Sequence, residues 1–286
     1  MSGIELDYAV PAPDLAPYVT LFYRFRADLP VFEDVERADH AQLRFLLSPG
    51  AASYRFATGP AYPAPPVHFL GAGACARTTR AAGPVLVFGM GITSVGWATI
   101  LGLDASAAVN RVIDAGAVLG LRAREVADAL LAAADDGVDA MVGKAEPLLR
   151  ELVVRGDRRA ASFCRAVDEW LGGSPSPCIA ELLSSTGMTL RQAERRCKQL
   201  YGLAPKALAR KYRALRAATA IAVHDASTDQ IVAEGFYDQS HLIRELKQFV
   251  GRTPGQIRTD PGLLARLTID RRRALSGRVA PIISDT

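Results

Sequence analysis

Two stretches of the sequence, RRCKQLYGLAP at residues 195–205 and RELKQFVGRTP at residues 244–254, share the pattern R-x-x-K-Q-x-x-G-x-x-P. The second stretch follows the first at an offset of 49 residues. An internal repeat of this kind indicates two copies of one supersecondary unit. We therefore expect the second half of the chain to contain a duplicated structure.

Each copy has the order of a helix-turn-helix unit: a short apolar helix, a turn at a glycine, and a longer basic helix. In the first copy the basic helix opens with a capping box, in which Thr189 is followed by Gln192 three residues later. In the second copy Asp238 is placed to cap the equivalent helix. On both basic helices, apolar residues occupy one face and cations the other. The apolar face is predicted to pack in the core, and the cationic face is predicted to bind a partner.

Residues 205–223, between the copies, form one predicted helix, about 28 Å long at about 1.5 Å per residue. Such a rod can hold two helices about one turn of DNA apart, roughly 34–36 Å. Its cations are predicted to meet phosphates or solvent; they are Lys206, Arg210, Lys211, Arg213 and Arg216. A structural role without DNA is the alternative for an isolated helix-turn-helix pattern.

With these features on the page, residues 179–258 resemble the DNA-binding domain of the AraC/XylS family of bacterial transcription regulators. The most specific part is GFYDQSHLIRELK at residues 235–247, followed by Gly251, Thr253, Pro254 and Arg258. The resemblance implies an all-helical domain with two helix-turn-helix units joined by a long helix. It also implies double-stranded DNA as partner and a second domain that senses a small molecule or dimerises.

Motif positions in the family imply which side chains contact DNA. Base readout is expected from Arg191, Gln192, Glu194 and Arg195 in the first unit, and from Gln239, Ser240, His241 and Arg244 in the second. Lys198 and Lys247 are expected to contact phosphates or to support the helix ends, rather than to determine specificity. The sequence departs from the family at Ala193 and Cys197, where larger apolar residues are usual, so the first unit is predicted to have a thin core. It also departs at Gln230 and Ile231, in place of an Ile-Ala pair, which predicts a shifted or shortened helix.

The first half of the chain is predicted to be a β-rich module followed by helices. Predicted strands cover residues 18–26, 42–47, 53–57, 67–70 and 85–90, and predicted helices cover residues 124–134, 137–154 and 158–171. The fold class is therefore α+β: a β-rich N-terminal domain with a helical extension, then an all-α double helix-turn-helix DNA-binding domain. This half resembles an uncharacterised N-terminal domain of some AraC-type regulators. The resemblance does not imply a particular ligand.

A domain boundary near residue 173 is predicted by two signals. The Gly/Pro/Ser run at residues 172–177 favours neither helix nor strand. Charge changes sign at the same place: residues 1–173 hold 16 Lys and Arg against 20 Asp and Glu, whereas residues 174–260 hold 13 against 8. The predicted domains are residues 1–173 for sensing or dimerisation, residues 174–260 for DNA binding, and a basic tail at residues 261–286, mobile or a short helix.

Six aromatic side chains of the N-terminal half are candidates for an effector pocket: Tyr23, Phe45, Tyr54, Phe69, Phe88 and Trp97. Packing in the core is the other interpretation of the same residues. Two functions therefore stay open for this half, a sensor of a small molecule and a dimerisation or protein-contact module without an effector. A cavity of some hundreds of Å³ would favour the sensor, and a filled interior with an exposed apolar helix face would favour the contact module.

The sequence does not predict an enzyme, a metal site or a cofactor. The four histidines, His40, His68, His224 and His241, have no metal-ligand spacing with carboxylates or thiols. A methyl-accepting repair protein is disfavoured because Cys178 is followed by Ile179 and Ala180 rather than a His-Arg pair. Residues 81–103 carry no charge, but their glycines and proline suit a strand, turn and short helix better than a membrane span. A cytoplasmic protein without a membrane partner is expected.

Overall fold

The computed structural model describes residues 3–57, 59–155, 160–223 and 226–286. The β-rich part predicted for the N-terminal half is present. Its strands among these residues are β1 (Ile4–Ala9), β2 (Val19–Ala27), β3 (Val31–Glu36), β4 (Ala41–Leu46), β5 (Ala52–Phe56), β6 (Ala61–Pro63), β7 (Val67–Leu70), β8 (Arg77–Ala82), β9 (Val85–Ile92) and β10 (Val112–Asp114). Each of the five predicted strands is found, with ends shifted by two residues at most.

The strands form two antiparallel sheets that face each other. One sheet has the order β1-β2-β9-β4-β7-β10, and the other has the order β3-β8-β5-β6. Phe25 and Val85 of the first sheet pack in one buried cluster with Phe32 of the second. Strands β3 and β8 were missed by the sequence analysis because their charged and small residues are poor strand formers. Their pairing in register sets Glu36 opposite Arg77.

Helices cover the other face of the larger sheet. They are α1 (Ser94–Ile100), α2 (Gly116–Leu119), α3 (Arg122–Ala132), α4 (Val138–Arg155) and α5 (Ala161–Gly173), with single 3-10 turns at Ala105–Ala107 and Ala134–Asp136. Arg158 and Arg159 of the predicted third helix lie outside the described residues. The uncharged stretch at 81–103 is a strand, a turn and a short helix, as its glycines and proline suggested. No helix in the described part of the chain is long and apolar enough to cross a membrane.

The all-α part follows the predicted linker. Its helices are α6 (Ile179–Thr186), α7 (Leu190–Tyr201), α8 (Pro205–Ala222), α9 (Thr228–Ala233), α10 (Gln239–Phe249) and α11 (Pro254–Thr259). The predicted capping box of Thr189 and Gln192 opens α7, and the Asp238 side chain accepts from the backbone N–H of His241 at the start of α10. Helix α9 is two residues shorter than α6, its counterpart in the first unit.

The last 26 residues fold back onto the β-rich module. They contain α12 (Leu263–Arg273) and α13 (Pro281–Ser284), and α12 packs on β1 and β3. The Leu264 N–H donates to the Asp34 carboxylate at 2.8 Å, and Arg272 is paired with Asp39 at 2.6 Å in a buried setting. The expectation of a mobile tail is therefore wrong, and the alternative of a short helix is correct. Apolar packing and two buried arginines hold the segment against the module. The basic composition of the segment alone did not predict these contacts.

Candidate nucleic-acid interface and inter-sheet cavity

The exposed surface of α7 carries all five side chains assigned to the first unit. Arg191, Gln192, Glu194, Arg195 and Lys198 are exposed, and with Thr189 they line one shallow groove. The opposite face of the helix is buried and holds Ala193, Cys197 and Leu200. The helix therefore separates a packed apolar side from a polar side on which three cations outnumber one carboxylate.

The exposed surface of α10 is built in the same way. Gln239, Ser240, Arg244 and Lys247 are exposed and His241 is half-buried, while Leu242, Leu246 and Phe249 face the core. The only carboxylate on this helix, Glu245, is buried and 2% exposed. The surface that α10 itself offers to a partner is thus free of negative side chains. Tyr237, just before the helix, is 91% exposed; the sequence analysis did not assign it to the interface, although it lies within the family motif.

Three of the assigned side chains already have partners within the protein. The Gln192 carbonyl oxygen accepts from the Thr189 N–H at 2.9 Å as part of the capping box. The Gln239 amide donates to the Asp229 carboxylate at 3.1 Å. His241 Nδ1 accepts from the Tyr237 N–H at 3.2 Å, and its Nε2 lies 3.7 Å from Glu245. These contacts fix the orientation of the side chains at the N-terminal ends of both helices.

The C-terminal ends of both helices dock on the N-terminal half. The repeat glycines Gly202 and Gly251 follow α7 and α10 with φ of 79° and 81°, a left-handed conformation that favours glycine. A Cβ on Gly202 would lie 2.5 Å from a methyl group of Val109, and a Cβ on Gly251 would lie 2.8 Å from a methyl group of Val35. Both glycines thus permit a close approach. This docking of the helix ends leaves the exposed faces of α7 and α10 uncovered.

Four of the five rod cations are held within the protein. Arg210 binds Glu245 with both nitrogens of its fork, at 2.6–3.1 Å. The Lys211 ammonium donates to the main-chain oxygen of Asp39 at 2.8 Å and is 2% exposed. Burial lowers the pKa of Lys211 to about 8, against the opposing effect of Asp39. For Lys211 the expectation of a phosphate contact is wrong, because its face of α8 lies against the N-terminal module.

The other two held cations lie towards the predicted linker. Arg213 lies over the Phe236 ring, 4.9 Å from its centre. Arg216 donates to the main-chain oxygens of Ser174 and Leu171. Lys206 is exposed. The amphipathic pattern of the rod did not reveal these partners because they come from distant parts of the chain.

A cavity of about 100 Å³ lies between the two sheets and α12. Its apolar wall includes Phe25, Phe32 and Leu264, and its polar wall includes Gln42, Arg44 and Arg272. The side chains of β4 alternate between the two faces of its sheet. Leu43 and Phe45 pack in the main core, whereas Gln42 and Arg44 line the cavity. Successive side chains of a strand point to opposite faces, so one strand supplies both environments.

The structure corrects the set of six aromatic residues proposed for a pocket. Tyr23 and Tyr54 line the inter-sheet cavity. Phe45, Phe69, Phe88 and Trp97 belong to the main core on the other side of the larger sheet. The sequence analysis selected residues by aromatic character and left out the alternation along the strands, which separates the two groups. It also missed the charged residues of the cavity wall, which are Glu36 in β3, Arg44 in β4, Arg37 and Asp39 between these strands, and Arg272 in α12.

Two charged clusters contribute residues to the cavity wall, although Arg77 of the first cluster does not itself line the cavity. In the first, Arg44 binds Glu36 through two hydrogen bonds of 2.6 and 3.0 Å, and Arg77 and Thr79 also donate to Glu36. Burial opposes ionisation of Glu36, but the guanidinium groups of Arg44 and Arg77 outweigh it and hold the pKa of this carboxyl well below its usual range. Glu36 is therefore a carboxylate at neutral pH.

The second cluster contains Arg37, Asp39 and Arg272, all nine-tenths buried or more. Arg272 holds the pKa of Asp39 well below its usual range in spite of burial. Burial and the repulsion of Arg272 lower the pKa of Arg37 to about 10. Arg37 donates to the main-chain oxygen of Thr286 at 2.5 Å, yet its Nη1 has no hydrogen-bond partner among the described residues, nor has Nε of Arg272.

An open groove of about 940 Å³ runs between the module, α5 and the C-terminal segment. Tyr201, at the end of α7, lies in its wall and donates to the carboxyl of Asp168 at 2.8 Å. Burial raises the pKa of Asp168 to about 6, although the bond from Tyr201 opposes this. The groove therefore contains a carboxyl group that titrates close to neutral pH.

The remaining histidines of interest are buried or not described. Burial lowers the pKa of His68 to about 4, and this ring is bonded to Tyr54 and to the main-chain oxygen of Pro65. His40 is bonded to Asp39 and to Tyr212 of α8. His224 lies outside the described residues. Within the described ranges, no three His, Cys, Asp or Glu side chains come together as a metal site.

Comparisons with known proteins found one family match and a set of similar solved structures. Residues 182–260 match a family described as a helix-turn-helix domain. Among solved structures, an apo variant of ToxT from Vibrio cholerae strain SCE256 is similar at 9% identity and a TM-score of 0.45, covering 91% of this chain and 98% of that one. ToxT from Vibrio cholerae O395 bound to (E)-4-(8-methylnaphthalen-1-yl)but-3-enoic acid is similar at 11% identity and a TM-score of 0.44, covering 83% and 98%. No curated protein matches the chain.

The matched segment contains α7 and α10 with their exposed cationic faces, the rod α8 between them, and all ten side chains assigned to DNA from the sequence. Its helices, the Thr189 capping box and the glycines at the turns have the order that the repeat predicted. A helix-turn-helix domain of this type is the DNA-binding part of a transcription regulator. Residues 182–260 are therefore a helix-turn-helix domain, the type of domain that binds DNA in transcription regulators.

Proposed function

We propose that the protein reads a specific DNA sequence by inserting α7 and α10 into two successive major grooves. The observation that carries this proposal is the exposure of the ten assigned side chains: nine are exposed and His241 is half-buried. They lie on the polar faces of two helices that repeat one sequence pattern. Between the two helices, α8 has 18 residues and so is about 27 Å long.

The chemistry of the two faces supports reading by hydrogen bonds. Arginine donates to guanine, and glutamine can pair with adenine, through atoms that are accessible in the major groove. Arg195 and Arg244 occupy equivalent positions of the repeat and are both exposed. Lys198 and Lys247 lie in the last turns of their helices. We assign the arginines to bases and the lysines to phosphates, the sequence-independent part of the affinity.

Selection of bound duplexes from randomised DNA, read by sequencing, tests the proposal. We expect the parent protein to select two short motifs about one helical turn apart. Arg244→Ala should relax the preference within one motif and cost about 1–3 kcal/mol of discrimination. Lys247→Ala should weaken binding to all sequences alike and reduce the slope of affinity against salt by about one.

Arg124→Ala is the matched control, because it removes one exposed cation from α3 in the N-terminal half. It should leave both the selected sequence and the salt slope unchanged. If Arg244→Ala and Lys247→Ala behaved like this control on selected and random duplexes, α10 would not be a reading helix.

For the N-terminal half we propose a sensor of a small molecule. The inter-sheet cavity supports this role because it lies between the two sheets and is lined on one side by apolar residues and on the other by charged ones. Its volume of about 100 Å³ is below the several hundred Å³ that would favour a sensor over a contact module, so only a small effector fits without rearrangement. The sensor is expected to act in the cytoplasm, without covalent chemistry. Burial raises the pKa of the thiols of Cys164 and Cys197 to about 12, which disfavours reactive thiolates.

A contact module without an effector is the second candidate for this half. Leu121 is 82% exposed before α3, and Val154 is 77% exposed near the end of α4. Exposed apolar side chains on helices suit a protein interface. Sedimentation of the parent and of a Leu121→Lys/Val154→Lys variant distinguishes the two. A dimer that dissociates in the variant supports the contact module, and a monomer in both supports the sensor.

A further inference from the structure

We propose that Tyr237 reads the second major groove by contact with the methyl group of a thymine, and that His241 holds Tyr237 in place instead of reading a base itself. The proposal rests on the DNA-reading function proposed above and assigns one base type to one side chain of the second unit. It adds Tyr237 to the reading surface of α10 and makes His241 a positioning residue.

The side chain of Tyr237 lacks the packing that is usual at its position. Tyr237 directly precedes Asp238, the N-cap of α10. An apolar residue at this position often packs on the fourth residue of the helix, which fixes the path of the chain into the helix. Here the fourth residue is Leu242, which is fully buried, yet Tyr237 is 91% exposed. Within the described part of the chain, the Tyr237 side chain has no hydrogen bond and no ring contact.

The equivalent position of the first unit is used differently. The repeat offset of 49 residues makes Met188 the counterpart of Tyr237. Met188 is half-buried and packs against the main apolar core, as is usual for the residue before a helix cap. The position therefore serves packing within the protein in the first unit and is open to a partner in the second.

The ring of His241 is occupied by contacts within the protein. Its Nδ1 accepts from the Tyr237 N–H at 3.2 Å, and its ring lies edge-on to that of Phe236 with centres 5.7 Å apart. A neutral imidazole carries one proton, so an accepting Nδ1 places this proton on Nε2. Nε2 lies 3.7 Å from the carboxylate of Glu245, which Arg210 also binds. The N–H that could meet a base is therefore close to an internal acceptor, and the side chain is only 26% exposed.

The counterpart of His241 in the first unit has a similar task. It is Gln192, the third residue of α7, whose side chain accepts from the Thr189 N–H at 2.9 Å. His241 is the third residue of α10 and accepts from the N–H of Tyr237, the residue before the cap. In both units this position ties the incoming chain to the first turn of the helix. The comparison supports a positioning role for His241.

The charges around Tyr237 favour contact with a base over contact with a phosphate. Its neighbour Asp238 has a carboxylate, and a second carboxylate, that of Asp229, is bonded to Gln239 at the start of α10. Both would repel a phosphate oxygen, and the main-chain N–H of Tyr237 is already bonded to His241. The thymine methyl group is the apolar feature of the major groove and is contacted by apolar and aromatic side chains. The N-terminal end of a reading helix is the end that meets base edges.

Replacement of single thymidines by deoxyuridine in the selected duplex tests the contact, because deoxyuridine lacks only the methyl group. The second motif is the one whose sequence preference Arg244→Ala relaxes. In the parent protein, one replacement in this motif should weaken binding about fourfold, the value for burying one methyl group. Tyr237→Ala should bind the unmodified duplex at least about fourfold more weakly, and the same replacement should then have no effect. A parent protein insensitive to every replacement in this motif overturns the proposal.

Two further tyrosine variants separate the ring from the hydroxyl group and from general effects. Tyr237→Phe keeps the ring and should bind within about twofold of the parent. Equal losses for Tyr237→Phe and Tyr237→Ala would indicate a bond from the hydroxyl group to a phosphate and overturn the methyl contact. Tyr62→Ala is the control, because Tyr62 is an exposed tyrosine in β6 of the N-terminal half. It should leave both the affinity and the response to deoxyuridine unchanged.

Variants of His241 test the positioning role. His241→Asn supplies an accepting oxygen near the place of Nδ1 and should keep the response to deoxyuridine. His241→Ala should lose this response at the same thymidine as Tyr237→Ala. The double variant His241→Ala/Tyr237→Ala should bind no more weakly than Tyr237→Ala, because both changes remove one contact. Losses that add, or a preference that changes at another base in both single His241 variants, would mean that His241 reads DNA itself and would overturn its positioning role.

The contact and the reading function fail in distinguishable ways. A parent protein that selects two motifs, while Tyr237→Ala binds them as tightly as the parent, overturns the contact and keeps the reading function. A parent protein that selects no sequence overturns the reading function and the contact with it.

Discussion

The two helix-turn-helix units repeat one sequence pattern but are stabilised in different ways. In the second unit, Leu242 and Leu246 fill the core, and Glu245 ties α10 to the rod through Arg210. At the equivalent positions the first unit has Ala193, Cys197 and Arg196. Helix α7 packs mainly on α1 and on the 3-10 turn of the N-terminal half, whereas α10 packs mainly on α8.

The repeated residues are those that set the turns and the exposed faces, and the residues that differ are those that hold each helix in place. Gly202 and Gly251 share a left-handed conformation, and Pro205 and Pro254 both begin the following helix. The first unit therefore depends on the N-terminal half for its packing, while the second carries its own core. A change in the N-terminal half is expected to reach α7 before α10.

The largest expected difference between the units concerns their cores. Leu246→Ala should cost about 4 kcal/mol of unfolding free energy, because it leaves a cavity at a fully buried position. Cys197→Ala, at the equivalent buried position, should cost about 1 kcal/mol, because fewer atoms are removed. Urea unfolding of both variants measures this. Equal losses would mean that the first unit is as tightly filled as the second.

The ion pair of the second unit is the next test. Arg210→Ala leaves the carboxylate of Glu245 buried without its main partner, so we expect a loss of about 3 kcal/mol in unfolding free energy. Arg196→Ala in the first unit removes a bond to Gln199 on the surface and should change it by less than about 0.5 kcal/mol. Thermal unfolding of the two variants compares them; similar melting temperatures would argue against the tie between α10 and the rod.

Substitution of Gly202 and Gly251, the glycines at which the two helices dock on the N-terminal half, tests a feature that both units share. Gly202→Ala and Gly251→Ala should each cost about 2 kcal/mol, from the left-handed backbone together with a close contact to the N-terminal half. Gly187→Ala is the matched control: its φ is 65°, but nothing lies within 4 Å of the added Cβ, so about 1 kcal/mol is expected. Chemical denaturation separates backbone strain from contact. Identical losses at all three sites would show that the close approach has no energetic weight.

The smallest effect concerns the pH dependence that the buried rod cation brings. Because the pKa of Lys211 is about 8 in the folded protein and 10.5 when exposed, the unfolded chain binds more protons between these values, and stability rises with pH. From pH 8 to pH 9 the parent should gain about 1 kcal/mol relative to Lys211→Met. Denaturation curves of both proteins at the two pH values check this. A constant difference would mean that Lys211 titrates normally.

Local signals made much of the helical domain predictable. The spacing of glycine and proline in the repeat, the Thr189 capping box and Asp238 act within a few residues, so the sequence displays them directly. The five strands rich in branched and aromatic residues were predictable for the same reason. Nine of the ten side chains assigned to DNA are exposed, as helical periodicity and the family motif together predicted.

Other features depend on partners far along the chain and were not predictable. Lys211 was expected on the surface. The sequence does not show that Asp39, 172 positions earlier in the β-rich module, contacts it and that the module covers it. The cavity was assigned to aromatic residues, whereas its polar wall is made by Glu36, Asp39 and Arg272, which come together only after the sheets and α12 pack. Four of the six aromatic candidates belong instead to the main core on the other side of the larger sheet, and for the three that lie in strands the alternation of side chains could have shown this.

The return of α12 and α13 to the β-rich module means that the DNA-binding domain is anchored at both of its boundaries. It cannot swing as a pendant body about a single hinge at residues 174–178. Any reorientation of α7 and α10 has to shift the connection before α6 and the connection after α11 together. Movement of the DNA-binding domain is thereby limited to the directions that both attachments allow, and the pair formed by Asp39 and Arg272 is one of the contacts that hold the second attachment.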